Sequence, residues 1–235
     1  NINDRVGSTH MDGLKAAVLE HGADLGVAHD GDADRCLAID ASGAMVDGDQ
    51  ILAICAIALA GSDRLAERTV VATVMSNMGF HNAMAQHNID VVTTAVGDRY
   101  VLEKLRADRL TLGGEQSGHV VFLDEATTGD GILTALHLMA QVAATGKSLA
   151  ELGSVVQRLP QILLNVEVRD KVAGTQSKPV LEAVRRAEVE LGGEGRILLR
   201  PSGTEQLVRV MVEAATHEQA AVVAQKVATV VSAAR

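Results

Sequence analysis

Short apolar runs, each bounded by glycine, proline or acidic residues, divide this chain into alternating strand-length and helix-length segments. Leu14, Ala17 and Val18 give a helix over about 12–21 its apolar stripe, and Gly22 stops it. The preceding turn, Gly7-Ser8-Thr9-His10, is placed to cap that helix. Residues 25–28 and 36–40 read as buried strands, and Ala41-Ser42-Gly43 as the turn at a domain boundary. A helix over 48–60 is apolar nearly all round, which predicts deep burial. Strands are then expected at 69–74, 90–94, 110–112 and 119–123, with helices at 79–87, 98–107 and 128–145. That alternation predicts a mainly parallel sheet covered on both faces. A helix over 148–158 followed by Pro160 marks a hinge. Beyond it come strands at 162–168, 196–199 and 207–213 and helices at 179–191 and 218–233, with Pro179 acceptable in a first helical turn. The expected fold class is α/β. Residues 1–41 form part of an α/β domain, 42–159 a complete, mainly parallel α/β sandwich, and 160–235 a small α+β domain.

The 235 residues leave room for two modest domains or parts of three. With aromatics at 1%, the core must be built from Val, Leu, Ile, Ala and Met, and Met75, Met78, Met84 and Met139 read as gap fillers. A formal net charge of -9 argues against a nucleic-acid partner, because phosphate backbones demand clustered Lys and Arg. Cys36 and Cys55 both lie in apolar runs, so buried reduced thiols are favoured over a disulfide or metal site. No stretch is apolar enough to span a bilayer and no secretory signal opens the chain, so it reads as cytoplasmic. Residue 1 is Asn rather than Met, and Ile2-Asn3 looks like the end of a strand already under way. The chain therefore reads as a fragment of a longer protein. Nothing in the pattern speaks to oligomeric state.

One stretch changes the picture. Asp30, Asp32 and Asp34 alternate within Asp30-Gly31-Asp32-Ala33-Asp34-Arg35, between two apolar strands. Two carboxylates about 4 Å apart repel by roughly 4 kcal/mol at an effective dielectric of about 20. Three together call for a cation, and oxygen-only ligands on a short loop suit Mg2+ before Ca2+. An EF-hand fails, since it needs Gly where Arg35 stands and Glu where Ala41 stands. Arg35 could offset charge on a phosphoryl group bridging to the cation, or form a salt bridge to one of the aspartates.

Two further loops carry chemistry. Gly113-Gly114-Glu115-Gln116-Ser117-Gly118-His119 sets three glycines around an acid, a hydroxyl and an imidazole, which lets backbone approach a hydroxyl-rich ligand. His119 reads equally as a hydrogen-bonded residue at a strand start. Arg200-Pro201-Ser202-Gly203-Thr204-Glu205 has the composition of a phosphate cradle: a guanidinium fork, two hydroxyls and a glycine for an anion nest. Arg209 lies on the opposite strand face from Val208, Val210 and Val212 and can reach the same anion. The plain alternative is a Pro-Gly turn flanked by surface arginines, and the loop departs from a Walker A pattern. Asp98 and Asp130 each stand where a helix N-cap is expected.

The three loops, in this order, resemble the metal-binding, sugar-binding and phosphate-binding loops of the α-D-phosphohexomutase superfamily. Thr94-Ala95-Val96-Gly97-Asp98-Arg99-Tyr100-Val101 resembles the bacterial phosphoglucosamine mutases in particular. The likeness covers essentially the whole chain. It implies an enzyme that interconverts glucosamine 6-phosphate and glucosamine 1-phosphate through a phosphoserine and a sugar bisphosphate. On that resemblance Asp30, Asp32 and Asp34 hold Mg2+, and Arg35 stabilises the phosphoryl group in flight. Glu115 and Ser117 grip the sugar 3- and 4-hydroxyls, and His119 lies near the reacting oxygens. Asp98 and Arg99 help choose the sugar. Arg200, Ser202, Gly203, Thr204 and Arg209 hold the phosphate that is not being transferred. The family's nucleophilic serine loop, Ser-His-Asn-Pro, occurs nowhere in these residues, so the chain alone is expected to be inactive. A phosphomannomutase/phosphoglucomutase and a non-catalytic phosphosugar-binding module are the alternatives.

Overall fold

A computed structural model describes residues 2 and 4–234, which form two compact units, 1–157 and 158–235. Asn3, expected to close a strand, lies outside the described residues.

The first unit opens with α1 (Asp12–His21), stopped by Gly22 in the left-handed conformation. The turn before it caps nothing: the N-cap is Met11, without a side-chain hydrogen bond. Next come β1 (Leu25–Ala28), β2 (Leu37–Asp40) and a short β3 (Met45–Val46), which the pattern did not predict. They form an antiparallel sheet in sequence order, with Leu25 opposite Asp40 and Ala28 opposite Leu37. α2 (Gly48–Gly61) begins with a reciprocal capping box between Asp47 and Gln50.

The chain then alternates β4 (Thr69–Thr73), α3 (Met78–Gln86), β5 (Asp90–Thr94), α4 (Asp98–Asp108), β6 (Leu112–Gly114), β7 (Val120–Phe122) and α5 (Gly131–Thr145). The sheet order is β5-β4-β6-β7. β4 runs parallel to β5 and β6, but β7 returns antiparallel, so the sheet is mixed. A hairpin this tight cannot make a parallel crossover. β6 begins later than expected because Leu110 N–H donates to Leu105 O and closes α4. Alternation along the strands fills both faces. Val70, Ala72, Val120 and Phe122 pack with α2, α3 and α5, while Val71 and Val121 pack with Val101 and Leu105 of α4. Cys36, Ala38 and Val46 join the first of these cores. α6 (Leu149–Gly153) ends well short of the helix expected there.

The second unit is an antiparallel sheet of β8 (Gln161–Glu167), β9 (Arg196–Pro201) and β10 (Leu207–Glu213), in the order β8-β10-β9. An unpredicted turn of helix, α7 (Ala173–Gln176), precedes α8 (Lys178–Leu191) and α9 (His217–Ala233). Val208, Val210 and Val212 are fully buried with Val180, Val223 and Val227 of the helices, each such side chain contributing about 1.5–3 kcal/mol. No described helix is long and apolar enough to cross a membrane.

Candidate active site

The β1–β2 hairpin carries the acidic loop. Ala33 takes a left-handed conformation (φ 58) and donates its N–H to Asp30 O at 3.2 Å. Arg35 N–H donates to Asp30 Oδ1 at 3.2 Å, and His29 Nδ1 donates to Arg35 O at 2.9 Å, tying the two ends of the loop together. One carboxylate oxygen each from Asp30, Asp32 and Asp34 then lies within 4.8 Å of the others. Asp30 and Asp34 are half-buried and Asp32 is exposed. Arg35 Nε stands 3.4 Å from Asp30 Oδ2 and 3.9 Å from Asp34 Oδ1, so the arginine neighbours both acids without a short bond to either. Burial, and then the charge of Asp30, push the Asp34 carboxyl above its ordinary range. A hard divalent cation relieves that repulsion, and the all-oxygen donor set fits Mg2+.

The β6–β7 hairpin lies against this loop. Cys36 N–H donates to Gly118 O at 3.0 Å, and Arg35 forms an antiparallel bridge with His119. Gly118 makes the approach possible: its φ is 95, and a Cβ there would stand 2.4 Å from Cys36 O. His119 is 3% exposed, with Nε2 3.6 Å from Asp34 Oδ2. Neither ring nitrogen has a hydrogen-bond partner among the described residues. Both nitrogens are shut off from solvent, so the ring leaves a donor and an acceptor unsatisfied beside the acidic loop.

A third segment, leading into α5, closes over both. Gly131 N–H donates to Ala33 O at 2.9 Å. A Cβ on Gly129 would meet His119 Nε2 at 2.2 Å, and one on Gly131 would meet Arg35 O at 2.2 Å. Asp130 caps α5 as expected, accepting from Leu133 N–H at 2.9 Å. Glu115 is held from a fourth segment: its Oε1 accepts from Gly97 N–H at 3.0 Å. Gly97 (φ 133) is the N-cap of α4, and this corrects the role expected for Asp98, which is the first helical residue. Asp98, Arg99 and Ser117 are exposed, and Arg99 is engaged with Glu103 at 2.7 Å.

The topology accounts for this gathering. The chain leaves β4 on one side to make β5 and then crosses to the other to make β6. Glu115 therefore sits at a topological switch point, where open α/β sheets bind ligands. The pattern missed His29, Gly97, Gly129 and Gly131. Their signal is the density of glycines flanking the acidic and imidazole residues.

In the second unit the β9–β10 connection is closed by Ser202 N–H donating to Leu207 O at 2.9 Å. Ser202 is buried, and its Oγ accepts from Glu205 N–H at 3.2 Å. Gly203 and Thr204 are exposed, and their N–H groups find no protein acceptor among the described residues. Arg200 and Arg209 are cross-strand neighbours, both half-buried, which sets two guanidinium groups beside the turn. Arg209 Nη2 also lies 3.8 Å from Glu205 Oε2.

Residues 47–159 match the phosphoglucomutase/phosphomannomutase alpha/beta/alpha domain III, and residues 163–230 match the C-terminal domain of the same family. The chain belongs to the phosphohexomutase family. Phosphoglucosamine mutase from Saccharopolyspora erythraea is 62% identical over 235 residues, covering 100% of this chain and 53% of the relative. The Streptomyces griseus phosphoglucosamine mutase is 63% identical over 234 residues, covering 100% of this chain and 52% of the relative. The chain thus spans about half the length of these phosphohexomutases. The fold matches that of Aspergillus fumigatus N-acetylphosphoglucosamine mutase, crystallised with GlcNAc-6P and magnesium. The TM-score is 0.75 at 24% identity, over 97% of this chain and 57% of that one. A Burkholderia thailandensis phosphoglucomutase/phosphomannomutase family protein superposes with a TM-score of 0.76 at 19% identity, over 96% of this chain and 50% of that one.

Proposed function

We propose that this chain is the metal-, sugar- and phosphate-binding part of a phosphoglucosamine mutase. That enzyme interconverts glucosamine 6-phosphate and glucosamine 1-phosphate through a phosphoserine and a sugar bisphosphate. In this reading residues 1–41 are the end of the second domain, 42–159 the third and 160–235 the fourth. The observation that carries it is the meeting of the acidic loop with Gly118-His119, 3.6 Å between His119 Nε2 and Asp34 Oδ2. Identity of 62% to phosphoglucosamine mutases across the whole chain supports the choice of amino sugar.

Each residue then has a task. Asp30, Asp32 and Asp34 would hold Mg2+, which supplies Lewis-acid polarisation of the transferring phosphoryl group. Arg35, kept near Asp30 and Asp34, offsets negative charge on that group. His119 exchanges the proton of the attacking or leaving sugar hydroxyl, and Asp34 stabilises the imidazolium that forms. Glu115 is pre-oriented by Gly97 N–H and, with Ser117, takes the sugar hydroxyls. Asp98 and Arg99 lie on the adjoining segment and contribute to sugar choice. Arg200, Ser202, Gly203, Thr204 and Arg209 hold the passive phosphate, so positioning and charge neutralisation supply most of the barrier reduction.

The test is calorimetry of the 235-residue chain with Mg2+ and glucosamine 6-phosphate, beside a turnover assay with glucose 1,6-bisphosphate present. Binding without turnover is expected, because the chain carries no Ser-His-Asn-Pro nucleophile. Tighter binding of mannose 6-phosphate than of glucosamine 6-phosphate would overturn the sugar assignment. Measurable turnover would overturn the assignment of the nucleophile to residues outside this chain.

A further inference from the structure

The loop after β9 is supported from below by a side chain with no part in the assignments above. Lys171 Nζ donates to Ser202 O at 2.8 Å and to Glu205 O at 3.4 Å. All described peptide bonds are trans, so the C=O and N–H of one peptide unit point in opposite directions. Fixing Ser202 O on the lysine therefore turns Gly203 N–H away from it, and fixing Glu205 O does the same for Gln206 N–H. Gly203 faces open space, with nothing within 4 Å of where a Cβ would stand. We propose that Lys171 is a positioning residue for the anion loop: it holds the carbonyl ends of two peptide groups so that their N–H ends meet a phosphate. This rests on reading residues 202–206 as the phosphate site.

Neighbouring contacts preorganise the lysine. Its own carbonyl accepts from Thr175 Oγ1 at 2.9 Å, on the turn that becomes α7. Gln206 Nε2 donates to Arg169 O at 3.1 Å, and Val168 N–H donates to Gln206 O at 3.3 Å. Residues 168–171 and 202–206 are thus stitched together at several points. The ammonium also places a positive charge at the carbonyl ends of those dipoles, reinforcing the field that Arg200 and Arg209 supply for an anion. Lys171 reaches both carbonyls from a half-buried side chain.

The experiment titrates inorganic phosphate, and separately glucosamine 6-phosphate, into the isotopically labelled 235-residue chain while following the Gly203 and Gln206 amides. Lys171→Met should lower phosphate affinity by about tenfold or more, the scale of hydrogen bonds from a charged donor. It should also flatten the salt dependence of binding, a readout that mere loosening of the fold does not move. Lys171→Arg, which keeps charge and donors, should restore most of the affinity. Equal phosphate affinity in the parent and Lys171→Met overturns the proposal while leaving the phosphate site intact. If the parent's Gly203 amide ignores both ligands, the phosphate-site reading falls and the proposal with it.

Discussion

Gly131→Ala tests whether backbone packing around the acidic loop sets the proposed metal site. A Cβ at this position would stand 2.2 Å from Arg35 O and 2.7 Å from His29 Nδ1. Real Cβ atoms do not approach below 3.0 Å, so the gap must open from 2.2 Å to at least that value. Neither side yields cheaply. Gly131 is fixed by its N–H bond to Ala33 O at 2.9 Å, and Arg35 O by the His29 bond at 2.9 Å. The loop must shift as a body, carrying Asp30, Asp32 and Asp34 with it. Overpacking of this kind costs about 1–3 kcal/mol of stability. Displacing the groups that orient metal ligands costs about 10–100-fold in metal affinity.

The assay is Mn2+ affinity by electron paramagnetic resonance, standing in for Mg2+, together with the thermal midpoint. Gly13→Ala is the control, since nothing lies within 4 Å of its Cβ position on α1 and alanine there should stabilise the helix by about 0.5–1 kcal/mol. Gly131→Ala should lose affinity and Gly13→Ala should not. If Gly131→Ala melts lower yet binds Mn2+ as tightly as the parent, the packing of α5 on the loop does not position the three acids.

Three further outcomes follow from buried or shifted groups. Arg196→Met removes the guanidinium bonds to the fully buried Glu213, 2.8 Å from Nε and 3.1 Å from Nη2, and should cost about 1.5–3 kcal/mol in urea unfolding followed by circular dichroism. A loss under about 1 kcal/mol would mean Glu213 is satisfied without it. Burial pushes the Cys36 and Cys55 thiols up to about 12, so both should resist iodoacetamide at pH 8 and react only in denaturant; fast native labelling would contradict their placement. Asp34 has a raised carboxyl, so its contribution to metal-free stability is fully present below the ordinary carboxylate pKa and is lost as pH rises through the raised value. Asp34→Asn should flatten that part of the stability profile in pH-dependent urea melts, and an unchanged slope would refute the shift.

What was legible from the pattern divides along the range of the forces involved. β1, β5 and β10 stand at their expected positions because each is an apolar or β-branched run bounded by residues that break strands locally. The acidic loop was legible for the same reason, since like charges at alternate positions are costly wherever the chain goes. The short β3, the direction of β7 and the cap of α4 were not legible. Each depends on a partner outside its own run: Val46 on Ala38, Val120 on Gly114, and the Gly97 N–H on Glu115. Asp98 has the composition of a cap, but a capping side chain has to reach back to helical N–H groups, and here it is already the first residue of the helix. The same logic explains why His119 stayed ambiguous between a packed strand residue and a reactive one. Its placement is compatible with either: it forms a β-bridge with Arg35 through its backbone and sets a ring near Asp34. Only glycine at 118 and 129 lets backbone come that close on either side of it. A glycine required by contact with a distant segment carries more information about a site than the polar residue beside it, because the polar residue tolerates many surroundings and the glycine only one. Alanine at 129 should therefore disturb the Asp34–His119 pair more than alanine at 117 disturbs it, although Ser117 bears the hydroxyl and Gly129 bears no side chain at all.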